Sequence, residues 1–371
     1  MLKIAIVGLP NVGKSTIFNA LTNANVLAAN YPFATIEPNT GIVPVPDDRL
    51  AQLAKLYQSD KIIPATVEFV DVAGLVAGAS HGEGLGNKFL ANIRECHAIC
   101  HVVRAFANDK IQRADGSTTV DPQGDIEIIN TELALADLAT IEKHLPKLQK
   151  EAKSNVKLRP QVDFLQQIQT DLLAGRRPTA FDQLTREELS AKLDGLSLLT
   201  ALPVIYLFNV NEATLSDSTA QKQLLALAAK ATASTPDQIN AVFISAELES
   251  ELRLLDANDQ QDLMQSYGIN EPSLNRLARV AYHTLGLQSF LTAGKKEVRA
   301  WTIHQGWTAP EAAGVIHTDF QKGFIAAQIV SYNDLMAAGS EAAARAAGKL
   351  RTEGRNYVMQ DGDIVEFRFN V

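Results

Sequence analysis

A short segment near the beginning of the chain has the residue types and the spacing of a phosphate-binding loop. Residues 8–16 read GLPNVGKST, which matches the pattern GxxxxGK[ST] between a β-branched apolar run and a helical one. The backbone amides of such a loop and the positive end of the following helix bind phosphate oxygens. Lys14 is predicted to reach the terminal phosphates, and the Ser15 hydroxyl to bind Mg²⁺. The predicted nucleotide contacts in this loop are Asn11, Val12, Gly13, Lys14, Ser15 and Thr16.

A second motif, Asp71-Val72-Ala73-Gly74, matches the DxxG element that accompanies such loops in nucleotide switches. Asp71 is predicted to hold Mg²⁺ through water, and the amide of Gly74 to sense the γ-phosphate. The interval between the two motifs leaves room for a switch segment. In that segment Thr35 is the candidate for a further Mg²⁺ ligand, and Thr40 is the second choice.

The residue that follows the second motif bears on hydrolysis. Small GTPases place a glutamine there to orient the attacking water. This chain has Leu75 instead, whose side chain has no hydrogen-bonding group. Hydrolysis therefore has to use a different group or a bound partner, or to proceed slowly.

The residues that would select the base differ from the guanine-specific pattern Asn-Lys-x-Asp. The chain has Asn209-Val210-Asn211-Glu212, so valine replaces the lysine that packs on the base and glutamate replaces the aspartate that reads guanine. Adenine offers its N6 amino group, which the Asn211 amide or a backbone carbonyl can accept. These departures favour ATP over GTP. Ser245 and Ala246 resemble the loop that closes over the base.

The elements that must position these motifs are apolar, β-branched runs separated by helical patterns. Runs of this kind are typical of buried parallel strands, and their alternation with helices predicts a doubly wound, mainly parallel α/β sheet. Residues 41–45 are a weaker candidate for an edge strand because of Pro44. The predicted strands are Lys3–Val7, Val67–Val70, Ile99–Val103, Pro203–Phe208 and Ala241–Ser245.

Between the third and fourth of these strands, two apolar patterns at helical spacing predict an inserted antiparallel hairpin of helices within residues 126–200. The window 143–159 is rich in basic residues and contains the single acid Glu151; it is called the basic tip below. A nucleic-acid contact and a solvated helix face are both open interpretations of the basic tip. Its basic residues are Lys143, Lys147, Lys150, Lys153, Lys157 and Arg159.

The character of the chain changes after about residue 285. Strand patterns at 323–330 and 364–369 and an Ala-rich helix at 341–350 predict a small mixed α+β domain. We therefore expect a nucleotide-binding domain of residues 1–125 and 201–284, the inserted hairpin of residues 126–200, and a C-terminal domain of residues 285–371.

Composition and charge narrow the class of protein. With 371 residues, 46% of them hydrophobic and 20% charged, the chain has an ordinary globular composition and the length of two or three domains. Its net charge of −8 gives no overall attraction to polyanions, so such a partner has to meet a local basic patch. We expect a cytoplasmic protein without a membrane partner. Two cysteines are too few for a disulfide framework, no signal peptide is expected, and no apolar run approaches the ~20 residues of a membrane span. No zinc site is expected at Cys96, His97, Cys100 and His101, because a second pair of ligands is missing.

Taken together, the motifs resemble the YchF or Obg-like ATPase family. The resemblance is carried by residues 8–16, 31–41, 71–89 (DVAGLVAGASHGEGLGNKF) and 209–212. The C-terminal segments KGFIAAQIV and DGDIVEFRFNV are similar to the TGS domain of that family, a β-grasp module. The resemblance covers nearly the whole chain. It implies a P-loop ATPase domain, an inserted helical hairpin and a TGS domain, with association with ribosomes and a role in translation or stress regulation.

Two positions carry hypotheses that depend on this resemblance. Many family members have a histidine that is thought to replace the missing glutamine, and the corresponding residue here is Arg113. An arginine stays protonated and does not act as a general base, although it can stabilise developing phosphate charge. Lys14, Gly74 and Arg113 are thus the candidate catalytic residues. Asn11 is the residue type that K⁺-activated relatives use to hold the ion, so stimulation by K⁺ is a hypothesis.

The expected function is an Mg²⁺-dependent ATPase of low intrinsic rate. It would act as a nucleotide-controlled switch that contacts the ribosome through the basic tip and the TGS domain. Two alternatives remain open at this point: a GTPase of the Obg type, and an RNA- or ribosome-binding adaptor with negligible turnover. A monomer is expected, because no heptad pattern is long enough to require a coiled-coil dimer.

Overall fold

The computed structural model describes residues 2–23, 39–72, 85–113, 116–184, 186–193 and 195–370. The chain divides into two compact units. Unit 1 comprises Met1–Gly41 and Glu68–Arg276, and unit 2 comprises Ile42–Val67 and Leu277–Val371. The division into three domains that we expect from the sequence stays a prediction.

The first part of the chain contains the strands of a mainly parallel sheet. These strands and the short β3 are β1 (Lys3–Val7), β2 (Thr40–Pro44), β3 (Ile62–Ile63), β4 (Thr66–Asp71), β5 (Ala98–Arg104), β6 (Val204–Asn209) and β7 (Ala241–Ile244). All of them except β3 form the first sheet, in the order β2-β4-β1-β5-β6-β7. β1 pairs in parallel with β4 and β5, β5 with β6, and β6 with β7. Parallel strands end at the same edge of a sheet, so the segments after β1, β4, β6 and β7 meet at one edge.

These observations confirm the predicted α/β fold, and the predicted strands agree with the observed ones to within one residue at each end. The physical reason is burial. Ile4, Ala5, Ile6 and Val7 are 0% exposed in β1, as expected for a strand whose two faces are both covered.

A helix follows each strand of the first sheet along the described chain. Among the described helices, none combines the length and the apolar content needed to cross a lipid bilayer. The helices up to residue 284 are α1 (Lys14–Asn23), α2 (Asp48–Tyr57), α3 (Leu85–Arg94), α4 (Pro122–Ser154), α5 (Arg159–Leu173), α6 (Ala180–Gln183), α7 (Arg186–Leu193), α8 (Glu212–Ser216), α9 (Ser218–Thr232), α10 (Ala246–Leu252), α11 (Ala257–Ser266) and α12 (Ser273–Thr284).

The predicted helical hairpin consists of α4 and α5, joined by a short 3₁₀ turn at Val156–Leu158. The side chain of Asp121 caps α4 by accepting a hydrogen bond from the amide of Gly124 at 2.9 Å. The base of the hairpin is held by Asp137, which is 0% exposed. Its carboxylate accepts hydrogen bonds from the amides of Leu199 and Thr200, both at 2.8 Å, and from the Thr200 hydroxyl at 2.7 Å. Apolar residues of both helices form one buried core, which includes Leu138, Ile141, Leu145, Leu148, Leu165, Ile168 and Leu172.

Unit 2 contains the mixed strands and helices that the sequence predicts after about residue 285, together with residues 42–67. Its C-terminal elements are β8 (Leu287–Ala293), β9 (Val298–His304), α13 (Ala309–Ile316), α14 (Thr318–Lys322), β10 (Phe324–Ser331), α15 (Tyr332–Ala338), α16 (Glu341–Ala346), β11 (Arg351–Glu353) and β12 (Asp363–Phe369). The strands of the second sheet lie in the order β11-β10-β12-β8-β9-β3. The pairs β8–β9, β10–β11 and β10–β12 are antiparallel, whereas β12–β8 and β3–β9 are parallel. The Ala-rich helix ends at Ala346, earlier than predicted, because Gly348 takes a left-handed conformation with φ of 68°.

Residues 42–67 belong to unit 2, although in sequence they lie between the two nucleotide motifs. Their strand β3 pairs with β9, and the hydroxyl of Ser59 donates to the carbonyl of Gly294 at 2.6 Å. Arg49 forms ion pairs with Asp47 at 2.8 Å and with Asp361 at 2.7 Å. From the sequence we group residues 42–67 with residues 1–125. The pairing of β3 with β9 joins segments far apart in the chain, and local patterns carry no information about it.

His101 lies in β5 and is 1% exposed. Its ring centroid is 5.7 Å from that of Tyr206, and among the described residues its Nε2 has no hydrogen-bond partner. Burial lowers the pKa of His101 to about 3. The native protein therefore keeps this imidazole neutral where an unfolded chain would bind a proton.

We predict that the His101→Phe substitution reduces the acid sensitivity of unit 1. Below the ordinary pKa of 6.5 the unfolded state binds a proton that the native state excludes, so the free energy of unfolding falls as the pH falls. The loss amounts to about 2 kcal/mol near pH 5. Urea unfolding followed by circular dichroism at about pH 7.5 and about pH 5 gives the change in the free energy of unfolding between the two pH values. This change should be less favourable by about 2 kcal/mol in the wild-type protein and in a His144→Gln control than in His101→Phe. Equal pH dependence in all three proteins would contradict the assignment.

Candidate nucleotide-binding site

The phosphate-binding loop curves between β1, which ends at Val7, and α1, which begins at Lys14. Within it, Asn11 and Gly13 have φ angles of 66° and 92°, in the left-handed region that favours asparagine and glycine. Gly8 lies so close to β5 that a Cβ atom on it would be 2.8 Å from the carbonyl oxygen of Val102. Loops of this conformation present successive backbone amides to one anion.

Asn209, at the end of β6, connects this loop to the neighbouring edge of the sheet. Its Nδ2 donates to the carbonyl of Val12 at 3.0 Å, and its Oδ1 accepts from the amide of Ala246 at 3.1 Å. The side chain is buried. A Cβ atom on Gly13 would collide with the Asn209 Nδ2. The glycine is therefore required both by its φ angle and by this close approach.

Lys14 and Asp71 form the charged centre of the site. The Nζ of Lys14 donates to the carbonyl of Val72 at 2.9 Å. Burial lowers the pKa of Lys14 and raises the pKa of Asp71, and the attraction between the two charges opposes both shifts.

The same centre fits Mg²⁺ and a polyphosphate. Among the described residues, the buried Oδ1 of Asp71 has no hydrogen-bond partner. A divalent cation beside Asp71 and a phosphate beside Lys14 would compensate charges that burial now disfavours. Ser15, the second predicted ligand, is exposed in the first turn of α1.

A pocket of 910 Å³ opens beside the phosphate-binding loop, within the size range of ligand and cofactor sites. We call it the nucleotide pocket. Its walls come from the loop itself, from the ends of β6 and β7, and from the segment after β5. The lining residues are Asn11, Gly13, Thr16, Phe106, Ala107, Asn108, Lys110, Ile111, Gln112, Asn209, Val210, Asn211, Glu212, Ser245, Ala246, Glu247, Ser250, Glu251 and Leu254.

At residues 209–212, where the guanine-specific pattern would select the base, the side chains make contacts within the protein. The side chain of Val210 is 2% exposed and belongs to the apolar core. The hydroxyl of Ser245 donates to Oε1 of Glu212, so this carboxylate oxygen has a partner within the protein. Asn211 caps α8, and its Oδ1 accepts hydrogen bonds from the amide and the hydroxyl of Thr214, at 3.1 and 2.7 Å. Of the two acceptors considered for adenine N6, the Asn211 oxygen is thus already engaged and the backbone carbonyls are left.

The wall formed by residues 106–112 is shaped by Arg104, and neither was predicted from the sequence to belong to the site. Arg104 ends β5 and is 3% exposed. Its guanidinium donates to the carbonyls of Phe106 at 3.2 Å, of Asn108 at 3.0 Å and of Ile111 at 3.0 Å. The sequence did contain a signal for this, because Arg104 directly follows the apolar run of a central strand. A charge buried there requires several hydrogen-bond partners, which the next residues of the chain can supply.

Arg113 lies at the end of the same wall. Its guanidinium pairs with the carboxylate of Asp125 at 2.7 Å, in the first turn of α4. The carbonyl of the preceding residue, Gln112, accepts a hydrogen bond from Nδ2 of Asn11 at 3.1 Å. The structure thus brings the segment of Arg113 to the phosphate-binding loop, while the arginine charge itself is compensated by Asp125.

The other predicted positions lie outside the described residues or do not line the nucleotide pocket. Thr35, Gly74 and Leu75 lie outside the residues that the structure describes. Thr40 is the first residue of β2. Cys100 and His101 are consecutive in β5 and Cys96 precedes that strand; both thiols are buried, and burial raises the pKa of Cys96 to about 11 and that of Cys100 to about 12.

The parallel sheet, the phosphate-binding loop with its lysine, and the aspartate at the end of β4 define a P-loop nucleoside triphosphatase. Comparison with family models agrees. A model described as "50S ribosome-binding GTPase" matches residues 3–120, and the model YchF-GTPase_C, described as "Protein of unknown function (DUF933)", matches residues 287–370.

Relatives align along the whole length of the chain. It is 51% identical over 372 residues to the ribosome-binding ATPase YchF of Haemophilus ducreyi, with 100% of this chain and 99% of that protein aligned. It is 43% identical over 371 residues to Obg-like ATPase 1 of Rattus norvegicus, with 100% of this chain and 92% of that protein aligned. The solved structure of the Schizosaccharomyces pombe YchF GTPase superimposes with a TM-score of 0.84 at 36% identity, over 99% of this chain and 97% of that one. The chain belongs to the YchF family, as its motifs predict.

We predict that Arg104→Lys weakens nucleotide binding by about tenfold, or about 1.4 kcal/mol. A lysine ammonium does not reproduce the planar set of donors that holds three carbonyls, so the wall at 106–112 loses its fixed shape. Calorimetric titration with a nucleoside triphosphate and Mg²⁺ measures the change. Arg253→Lys is the matched control, because its guanidinium makes an exposed bond to the carbonyl of Asn19 at 3.3 Å. Unchanged affinity in a folded Arg104→Lys protein would show that the wall does not contact the nucleotide.

Proposed function

We propose that the protein is an Mg²⁺-dependent ATPase that prefers ATP to GTP and acts as a nucleotide-controlled switch associated with the ribosome. The site of unit 1 supports this function, as do the relatives, which are named ribosome-binding ATPases and an Obg-like ATPase. The ribosome is cytoplasmic, and we place the protein there. A role in translation or stress regulation is part of the same proposal.

The observation that carries the preference for ATP is the hydrogen bond between Ser245 and Glu212. In the guanine-specific pattern, a shorter carboxylate at this position accepts from the N1 and N2 hydrogens of the base. Here the carboxylate is longer by one methylene and is engaged by a hydroxyl of the protein. Adenine has a hydrogen-bond acceptor at N1, which a free carboxylate would repel. Partnering Glu212 inside the protein therefore removes the contact that selects guanine and reduces the penalty against adenine.

In the phosphate site, we assign each residue a role in binding the phosphates or Mg²⁺. The amides of residues 11–16 and the Lys14 ammonium bind the phosphates and stabilise the charge that develops during transfer to water. Ser15 and Asp71 hold Mg²⁺, and Thr35 is proposed to complete the ligand set. Bound there, Mg²⁺ supplies neutralisation of phosphate charge. The Gly74 amide is proposed to bind the γ-phosphate and so to link the nucleotide state to the second switch.

Arg113 is proposed to act as a positioning residue. An arginine paired with Asp125 at 2.7 Å is not a proton acceptor. It fixes the end of the segment whose Gln112 carbonyl meets Asn11. Leu75 has no hydrogen-bonding group and Arg113 stays protonated, so neither of these two positions supplies a proton acceptor for the attacking water, in keeping with the proposed low intrinsic rate.

The ribosome is proposed to contact the basic tip and the TGS domain. In the structure all of the basic residues of the tip are exposed, at the end of α4, in the 3₁₀ turn and at the start of α5. The apolar Val156 at the turn is 62% exposed. Clustered cations on one exposed end of an otherwise acidic chain suit the phosphate backbone of RNA.

We also propose that the protein is a monomer with three domains. They are residues 1–125 with 201–284, residues 126–200 and residues 285–371.

The base preference is tested by restoring the shorter carboxylate. We predict that wild-type protein binds ATP more tightly than GTP, and that Glu212→Asp shifts the ratio of the two dissociation constants toward GTP by about tenfold or more. The shorter side chain no longer reaches Ser245 and matches the guanine edge. Calorimetric titrations with both nucleotides measure the ratio, and Glu151→Asp in the basic tip is the control. Tighter binding of GTP than of ATP by the wild-type protein would support the alternative of an Obg-type GTPase.

Stimulation by K⁺ is the remaining part of the proposal. The Nδ2 of Asn11 is engaged by Gln112, so the carboxamide oxygen is the atom that would bind a cation. We expect faster ATP turnover in K⁺ than in Na⁺ at equal ionic strength, and a smaller difference in Asn11→Ala. Equal turnover in both salts would remove K⁺ from the account, and turnover equal to that of Lys14→Ala would favour the adaptor without catalysis.

A further inference from the structure

A second cavity lies at the base of the helical hairpin in unit 1, apart from the nucleotide pocket. Its volume is 370 Å³, and it is bounded by α4, the end of α5, β6 and the end of α9. None of its lining residues is shared with the nucleotide pocket. The size falls within the range of small-molecule sites. We call it the hairpin cavity.

Most of the lining on α4 and β6 is apolar. Leu133 and Leu138 from α4, Leu172 from α5 and Val204 from β6 contribute aliphatic side chains. Ala134 also lines the cavity, so a small side chain stands where a larger one would fill the space. This aliphatic part of the wall provides a surface against which an apolar molecular body is favourably buried.

The ends of α5 and α9 bring positive charge to the cavity. Arg177 and Lys230 line it, together with Arg176, which is paired with Asp171 at 3.1 Å. The Nε of Arg177 donates to the carbonyl of Thr200 at 3.2 Å, which orients its guanidinium. Glu127 is the one acid among the lining residues. In a chain with a net charge of −8 this local excess of cations runs against the overall composition.

A buried phenol adds a directional hydrogen-bonding group. Tyr206 lines the cavity from β6, is 6% exposed, and shares a hydrogen bond with the side chain of Asn130, another lining residue. Burial raises the pKa of Tyr206 to about 12, and the nearby charge of Arg177 partly opposes this shift. Arg177, in the segment after α5, and Tyr206 of β6 line the same cavity.

We propose that the hairpin cavity binds a small amphipathic organic anion. Its acidic group would lie near Arg177 and Lys230, and its apolar body of roughly ten to twenty non-hydrogen atoms would lie against Leu133, Leu138 and Val204. The pattern of apolar walls with a few convergent polar groups is what a specific small-molecule site requires. Two cations and a phenol select a single acid group through charge-assisted hydrogen bonds. This site is independent of the proposed ATPase activity.

The test uses the full chain with saturating ATP and Mg²⁺, so that the nucleotide pocket is occupied. The probe is 8-anilinonaphthalene-1-sulfonate, an aromatic monoanion whose fluorescence rises in an apolar site. N-Phenyl-1-naphthylamine, which has the same rings without the acid group, is the matched neutral probe. We expect saturable binding of the anion at one site, about tenfold tighter than binding of the neutral probe.

Matched variants assign the site. Arg177→Gln combined with Lys230→Gln removes the charge, and Ala134→Leu fills the space; each is expected to weaken binding of the anion by about tenfold. The controls are Lys222→Gln on α9 and Ala139→Leu on α4, both exposed positions outside the cavity, with binding within about twofold of wild type. Circular dichroism and nucleotide affinity establish that each variant is folded. Equal affinity for the two probes, or anion binding that neither cavity variant weakens, would overturn the proposal.

Discussion

One buried carboxamide holds the nucleotide site in its shape. Asn209 hydrogen-bonds to the carbonyl of Val12 and to the amide of Ala246, and so joins the segments that follow three different strands of the first sheet. Both of these backbone groups are buried, and loss of their partner would leave them unsatisfied at a cost of about 1–3 kcal/mol each. Gly13 is bound by the same constraint, since any Cβ atom would displace the carboxamide. Phosphate loop and base corner therefore form a single preformed structure rather than two independent loops.

A second buried group performs the same task on the opposite wall. Arg104 holds three carbonyls of residues 106–111, and Arg113 closes that segment through Asp125. Both arginines extend from the central strand β5 or from the segment after it. Hydrogen bonds thus fix the wall at 106–112 and the corner at 209–212, while the charges of Lys14 and Asp71, half-buried and shifted in pKa, are suited to compensation by a phosphate and a metal ion. This division suits a switch, in which the nucleotide binds to a fixed frame and its phosphates act on the adjacent segments.

Much of this was predictable from local sequence. The parallel strands were predicted to within one residue because their apolar runs are long, β-branched and bounded by loops, and the phosphate loop is specified by two glycines and a lysine at fixed spacing. The hairpin followed from apolar residues at helical spacing in α4 and α5. Side-chain partners were not predictable in the same way. That Glu212 meets Ser245, that the Asn211 oxygen caps α8, and that residues 42–67 pair with β9 all depend on contacts between segments distant in sequence.

We propose that a purine triphosphate binds in the preformed pocket while both hydrogen bonds of the Asn209 side chain stay intact. A structure determined with a non-hydrolysable ATP analogue and Mg²⁺ tests it most directly. We expect phosphates on the amides of residues 11–16, a base between the wall at 106–112 and the corner at 209–212, and unchanged hydrogen bonds between Asn209 and the backbone of Val12 and Ala246. A base bound outside this pocket, or a ligand that breaks either hydrogen bond of Asn209, would rule out this binding mode.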